Sequence, residues 1–342
     1  MTDCSGKLVR KVENMWWQRR APHLLLQVLS PIYQALNDHN LKRRESRQSR
    51  VDVPLISIGN ITVGGSGKTP FVLWLADALR AQGNKPVILC RGDGGNARQA
   101  VHITPEHSAA EIGDEALLLA RESGCPVVSA QDRVAGARMS ATLGDIIILD
   151  DGFQYRQLHR DCDIVLLPAG GLGNGALLPA GPLREPLSAL QRADIIVQSG
   201  SRSELEIHAD FVDIKKKTWS WHALPSQLLD WNLLSRIPPA TVHAVCGIAK
   251  PERFIYSLQD IGIDVGQHSF FPDHHRYTAH DMQRILESSQ LTPVFTAKDA
   301  VKVQTLWPQD KPLWVLKQIF GAESGLLHQI ESTLNTDGDL KC

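Results

Sequence analysis

Three short runs of this sequence hold residue types that could handle a phosphoryl group. In "GNITVGGSGKTP", residues 59–70, a cluster of Gly64, Gly65, Ser66 and Gly67 leads into Lys68 and Thr69. Glycines at such positions let backbone N–H groups turn towards phosphate oxygens. A lysine then reaches the β- and γ-phosphates, and a threonine hydroxyl ligates Mg2+. The P-loop pattern G-x-x-x-x-G-K-[ST] wants a glycine five residues before Gly67; this chain has Thr62 there, followed by Val63. The second run, "DIIILDDGFQ" (145–154), ends an apolar stretch on Asp150 and Asp151. Adjacent acids at a strand end are costly unless a cation or donors compensate them, which beside a P-loop favours a metal role for one of the two. The simpler alternative is a turn starter, since Asp-Gly dipeptides make turns. The third run is Gly113-Asp114-Glu115; taken alone, acids at a helix start are ordinary N-terminal dressing.

The elements around these runs place them. "VPLISIG" (53–59) is an apolar β-type run, "FVLWLADALRAQG" (71–83) reads as a helix, and "PVILC" (86–90) as a second strand. The glycine-rich loop therefore lies between strand and helix, and the start of that helix adds positive dipole at the loop. "DCDIVLL" (161–167) and "ADIIVQSG" (193–200) continue the apolar-strand pattern. These elements describe an α/β fold with a P-loop NTPase-type core and a mostly parallel sheet over residues 51–207. Residues 208–224 alternate and residues 230–240 read as connecting chain, so 208–240 is expected to be a β-ribbon and linker. A fresh α/β rhythm from Thr241 predicts a smaller C-terminal α/β domain over 241–342.

The chain has 342 residues and a net charge of −1, which gives no reason to expect a nucleic-acid partner. The charge is uneven: residues 1–50 carry ten Lys/Arg against four Asp/Glu. That segment contains Trp16 and Trp17, an apolar patch between Leu24 and Leu36 interrupted by Pro31, and the cluster Lys42, Arg43, Arg44, Arg47 and Arg50. It is too short and too broken to span a bilayer and carries no cleavage signal. Residues 1–50 therefore read as a basic amphipathic segment lying on an anionic membrane surface, or else as a helix packed on its own domain. The six cysteines form no C-x-x-C pair, which fits a reducing compartment.

Taken in order, the motifs resemble the tetraacyldisaccharide 4′-kinase family of lipid A synthesis along nearly the whole chain. The carriers are "TVGGSGKTP", "RGDGG", "GDEALLL", "ILDDGFQ", "GNGALLPAGPLREP" (173–186), "GIAKPERF" (247–254), "FPDHHRY" (271–277) and "TAKDAVK" (296–302). The family's own loop begins with threonine at the Thr62 position. Two departures stand out: Asp93 where the family has tyrosine, and Ala116 where it has proline. The resemblance implies ATP-γ-phosphoryl transfer to the 4′-hydroxyl of an acylated glucosamine disaccharide 1-phosphate, on the cytoplasmic face of a bacterial inner membrane. It implies ATP and Mg2+ held by Thr62 to Thr69, with Asp150 or Asp151 at the metal. Asp114 becomes the base and His274, with His275 the neighbouring alternative, its orienting partner across a cleft between domains. Glu185 is expected at the metal or the sugar. Rival readings are a membrane-surface P-loop ATPase and an ATP-binding regulator. The ATPases that position other proteins carry lysine before the paired glycines, where this chain has Val63, and the N-K-x-D of GTP readers is missing at Asn84-Lys85-Pro86-Val87.

Overall fold

The computed structural model describes residues 12, 15–18, 22, 24–64, 66–200, 218–231, 237–248, 250–273 and 275–338. Gly65 and His274, two expected site residues, lie outside them. Twelve strands are described: β1 (Leu55–Gly59), β2 (Pro86–Cys90), β3 (Val101–His102), β4 (Val127–Ser129), β5 (Ile146–Asp150), β6 (Cys162–Leu167), β7 (Ile195–Ser199), β8 (Thr218–Asp230), β9 (Thr241–Cys246), β10 (Asp264–Phe270), β11 (Thr292–Thr296) and β12 (Trp314–Ala322). The helices are α1 (Leu24–Glu45), α2 (Lys68–Ala81), α3 (Ala109–Ile112), α4 (Asp114–Glu122), α5 (Arg133–Ser140), α6 (Pro251–Gln259), α7 (Ala279–Glu287), α8 (Ala297–Val303) and α9 (Leu326–Gly338).

All twelve strands join one sheet in the order β10-β9-β11-β12-β8-β7-β6-β1-β5-β2-β4-β3. Pairing is parallel except between β8 and β12 and between β3 and β4. The central strands β1, β2, β5 and β6 are buried along their whole length. That is why their sequences are continuous apolar runs and not alternations: helices cover both faces of a parallel sheet.

The segment expected as a ribbon and linker differs. Its described part is one long strand, β8, parallel to β7 on one side and antiparallel to β12 on the other. The strands after residue 241 thus extend the first sheet instead of starting a second. The alternation that suggested a ribbon is real, since Trp219 and Trp221 point into the core while Ser220 and His222 do not. Period-2 alternation reports which face of a strand is buried; it carries no information about the partner strand.

Candidate active site at the carboxyl ends of β1 and β5

In a parallel sheet the carboxyl ends of adjacent strands converge on one crevice. Here β1 pairs directly with β5, placing Ile58 opposite Asp150. The loop after β1 and the acids after β5 are therefore neighbours by construction. Gly67 takes φ 79°, a left-handed conformation, immediately before α2 begins at Lys68. Glycine is required at that point because a side chain there would be strained. The loop's entrance needs no such freedom. Thr62 sits in an isolated antiparallel bridge with Leu183, and the Val63 N–H donates to the Pro182 carbonyl at 2.8 Å. This explains the threonine at the position where the P-loop pattern has glycine. It also means that the Val63 N–H serves the "LLPAGPLREP" segment instead of pointing free into the loop. Ser66 is buried; its hydroxyl accepts from Asn60 Nδ2 at 3.0 Å and its carbonyl from the Ser199 hydroxyl at 3.1 Å.

The Lys68 ammonium lies 3.2 Å from Asp151 Oδ1, and the Arg184 guanidinium 3.5 Å from Asp151 Oδ2. Asp151 itself has φ 51°, an uncommon backbone state for a non-glycine residue. Such strain is found where a side chain must be aimed. The two acids are held differently. Burial works against ionisation of Asp151, but Lys68 and Arg184 outweigh it and hold its carboxyl below the usual range. Asp150 is pushed up to about 6, chiefly by burial, with Lys68 opposing and the nearby charges of Asp151 and Glu115 adding to the rise. Its Oδ1 is buried with no hydrogen-bond partner among the described residues. Arg133, itself buried, donates to the Asp150 carbonyl at 2.8 Å and so fixes the backbone beneath this carboxyl.

Asp114 opens α4 directly after Gly113, whose φ is 89°. A side chain at Gly113 would run into the carbonyl of Asp93, so the glycine lets "RGDGG" and "GDE" pack backbone to backbone. Asp93, the departure from the family pattern, is exposed and makes a surface ion pair with Arg91 at 3.2 Å. The Asp114 carboxylate is largely buried, accepts from the Glu115 N–H at 3.0 Å, and lies 3.9 Å from the Lys302 ammonium. Lys302 reaches it from α8, in "TAKDAVK", and Lys298 of the same helix pairs with Glu115 at 3.3 Å. Sequence reasoning had no role for these lysines; their segment appeared only as a family motif.

The remaining motifs of the C-terminal half meet close by. Asp299, fully buried, accepts from the Gly247 N–H at 3.0 Å and from the Thr296 hydroxyl at 2.7 Å. His275 stacks on Phe271 and pairs with Asp281 at 3.3 Å. Burial, with Asp299 alongside, pushes the Tyr277 phenol up, so it stays neutral.

Glu185, expected at the metal or the sugar, is engaged by other side chains of the protein. It is 2% exposed and accepts from Gln154 Nε2 at 3.0 Å, Arg156 at 3.3 Å and Arg192 at 2.9 Å. Two guanidiniums and an amide occupy both of its oxygens. The turn in which sequence placed it hid this, because both arginines come from other elements.

A cavity of about 590 Å³ opens beside Thr69 and Pro70. Leu73 and Trp74 of α2 form one wall, and Ile248, Phe254 and Phe320 of the C-terminal half form the other. An apolar cleft adjoining a glycine-rich loop is the usual setting for a nucleotide-sized ligand.

Comparison with known proteins gives one answer. The profile of the Tetraacyldisaccharide-1-P 4′-kinase family, LpxK, matches residues 22–335. A tetraacyldisaccharide 4′-kinase of Alkalilimnicola ehrlichii is 36% identical over 333 residues, covering 93% of this chain and 96% of that one. One from Azoarcus sp. is 39% identical over 315 residues, 86% of this chain and 88% of the other. The crystal structure of LpxK from Aquifex aeolicus in complex with ATP matches with a TM-score of 0.74 at 29% identity, over 90% of this chain and 98% of that chain. Matched along nearly its whole length, and with its glycine-rich loop and paired acids at the carboxyl ends of the central strands β1 and β5, this chain belongs to the tetraacyldisaccharide 4′-kinase family.

Proposed function

We propose that this chain transfers the γ-phosphate of ATP to the 4′-hydroxyl of a tetraacylated glucosamine disaccharide 1-phosphate, at the cytoplasmic surface of a bacterial inner membrane. The observation that carries the reading is the pairing of β1 with β5, which brings Lys68 to 3.2 Å from Asp151 in a chain of this family.

The donor set suits Mg2+, a hard cation that takes one or two carboxylates plus phosphate oxygens. Among the described residues no three His, Cys, Asp or Glu side chains group as a metal cage. A buried, unpartnered carboxylate oxygen on Asp150 nevertheless fits a cation. Asp150, Asp151 and Thr69 would hold the ion, which when bound neutralises charge on the β- and γ-phosphate oxygens. Lys68 would leave Asp151 for the phosphates. Asp114 would accept the proton of the sugar hydroxyl, and general-base help of this kind is worth roughly 10²–10⁴-fold. Its expected partner His274 lies outside the described residues, between Asp273 and His275. The cleft that opens beside Thr69 is lined by residues from both halves of the chain, so closing it would keep water from the phosphoryl group.

The membrane reading is supported by α1. Ser30, Tyr33 and Asn37 tie one side of it to the Leu177 and Arg184 carbonyls, at 2.9, 3.1 and 3.1 Å. Leu25, Val28, Ile32 and Leu36 on the neighbouring side are exposed. Among the described residues no helix is long and apolar enough to cross a membrane. An exposed apolar row ending in Lys42, Arg43 and Arg44 suits an anionic lipid surface.

The test is incubation in detergent with γ-labelled ATP and the acylated disaccharide 1-phosphate. Label in the lipid supports the kinase, and label only in free phosphate supports the ATPase rival. Asp114→Ala should lower kcat by at least about a hundredfold while ATP binding survives; near-normal turnover would remove Asp114 from the role of base.

A further inference from the structure

Lys302 stands where three motifs with no sequence proximity come together. Its ammonium lies 2.9 Å from Asp299 Oδ1, 3.9 Å from Asp114 Oδ2, and 5.5 Å from the centre of the Tyr277 ring. "TAKDAVK", "GDEALLL" and "FPDHHRY" thus converge on one buried cation, whose side chain is 9% exposed. Its nitrogen makes no aligned hydrogen bond among the described residues, so its contacts are ionic and its N–H groups are not committed to one geometry.

The ordinary reading is that Lys302 merely neutralises Asp299. The arrangement asks for more. Asp299 is already held by the Gly247 N–H and the Thr296 hydroxyl on its Oδ2, and it meets Lys302 through the other oxygen. Asp299 and Lys302 lie one turn apart on α8, so the pair is rigid on its own helix. The ammonium then projects from this anchored base towards a carboxylate on α4. The ammonium thus faces a carboxylate anchored on its own helix and a second carboxylate carried by α4. A cation held in place beside a base fixes the direction in which that base points.

We propose that Lys302 is a positioning residue for phosphoryl transfer, held by Asp299 and setting the direction of the Asp114 carboxylate towards the acceptor hydroxyl. The proposal rests on the reading of Asp114 as the base. It makes the C-terminal half a direct contributor to the geometry of a group carried by the P-loop half.

The experiment measures kcat and KM for both substrates in purified Lys302→Met, Lys302→Arg, Asp114→Asn and the double variant Lys302→Met/Asp114→Asn. Lys302→Met should lower kcat about 10–100-fold, the scale of loss that follows a misplacement of order 1 Å. KM for ATP should stay within about twofold, and Lys302→Arg should recover part of the lost kcat. The double variant should be no slower than Asp114→Asn alone, because groups acting as a unit are not additive. Lys302→Met leaves Asp299 without its cation, so Lys302→Met/Asp299→Asn, which removes both charges, is measured beside it and should show the same kcat loss. Unchanged kcat in the folded Lys302 variants would overturn the proposal, as would losses that multiply in the double variant. Near-normal turnover by Asp114→Asn would instead overturn the base assignment beneath it, and the two failures are told apart by that single variant.

Discussion

The two adjacent acids after β5 illustrate how position outweighs residue type. Asp151 is pinned by Lys68 and Arg184, whereas Asp150 is buried with one oxygen lacking a hydrogen-bond partner among the described residues. Raising a carboxyl to about 6 from 3.8 means that the folded state binds a proton more tightly than the unfolded chain does. Between those two values stability from this group falls as pH rises, and above about 6 the ionised Asp150 is a standing cost. A bound cation offsets that cost only when the carboxyl is ionised. The melting temperature should therefore rise more on adding Mg2+ with ADP at pH 7.5 than at pH 5, and scanning calorimetry at the two values checks this. Asp150→Asn should raise the melting temperature of the ligand-free protein at pH 7.5 by a few degrees, on the scale of about 2–4 °C per kcal/mol, and abolish the Mg2+-dependent part of the shift. An unchanged Mg2+ response in that variant would assign the metal elsewhere.

At the scale of elements, α1 and the loop after β1 share one support. The "GNGALLPAGPLREP" segment receives the Ser30, Tyr33 and Asn37 side chains from α1, while its Pro182 carbonyl and Leu183 hold Val63 and Thr62. The expected membrane helix and the phosphate loop are thus fastened to the same piece of chain. Of the two expectations for residues 1–50, packing on the chain's own domain describes one side of α1, along 30, 33, 37 and 41, while the row 25, 28, 32 and 36 is exposed and open to the proposed membrane contact. Replacing Leu25, Val28, Ile32 and Leu36 together by serine should leave the melting temperature nearly unchanged, because these side chains already face solvent. It should weaken co-sedimentation with vesicles containing anionic lipid by at least about tenfold, given ~0.8 kcal/mol per buried CH₂. Equal sedimentation of both proteins would exclude this row as the contact.

For the whole molecule, β8 is the decisive strand, since it is parallel to β7 and antiparallel to β12 and so makes one sheet of two halves. Aromatic packing reinforces the joint. Trp221 of β8 is 1% exposed and stacks on Phe320 of β12 with ring centres 5.3 Å apart, while its edge meets Phe71 of α2 at 5.0 Å. The helix that begins at Lys68 is thereby packed against both halves. Trp221→Ala should lower the unfolding free energy by about 3–5 kcal/mol in urea titrations; a loss below ~1 kcal/mol would mean that the strand pairing alone carries the joint.

Within single segments the sequence was a sufficient guide. The apolar runs of β1, β2, β5 and β6, the glycine-rich turn into α2 and the acids closing β5 follow from periodicity and backbone freedom over ten residues or so. Those constraints are local and are written in adjacent residues. The choice between turn and site at "DDG" was already open to argument, because two acids need compensation wherever they are buried. The remaining outcomes belong to the tertiary structure alone. No spacing shows that the Val63 N–H is taken by Pro182, that Glu185 binds Arg156 and Arg192, or that Lys302 stands between Asp299 and Asp114. The pairs Val63–Pro182, Glu185–Arg156 and Lys302–Asp114 each join charges or donors from distant segments. Such a pairing is decided by which strands lie side by side in the sheet and which helix faces then meet across it.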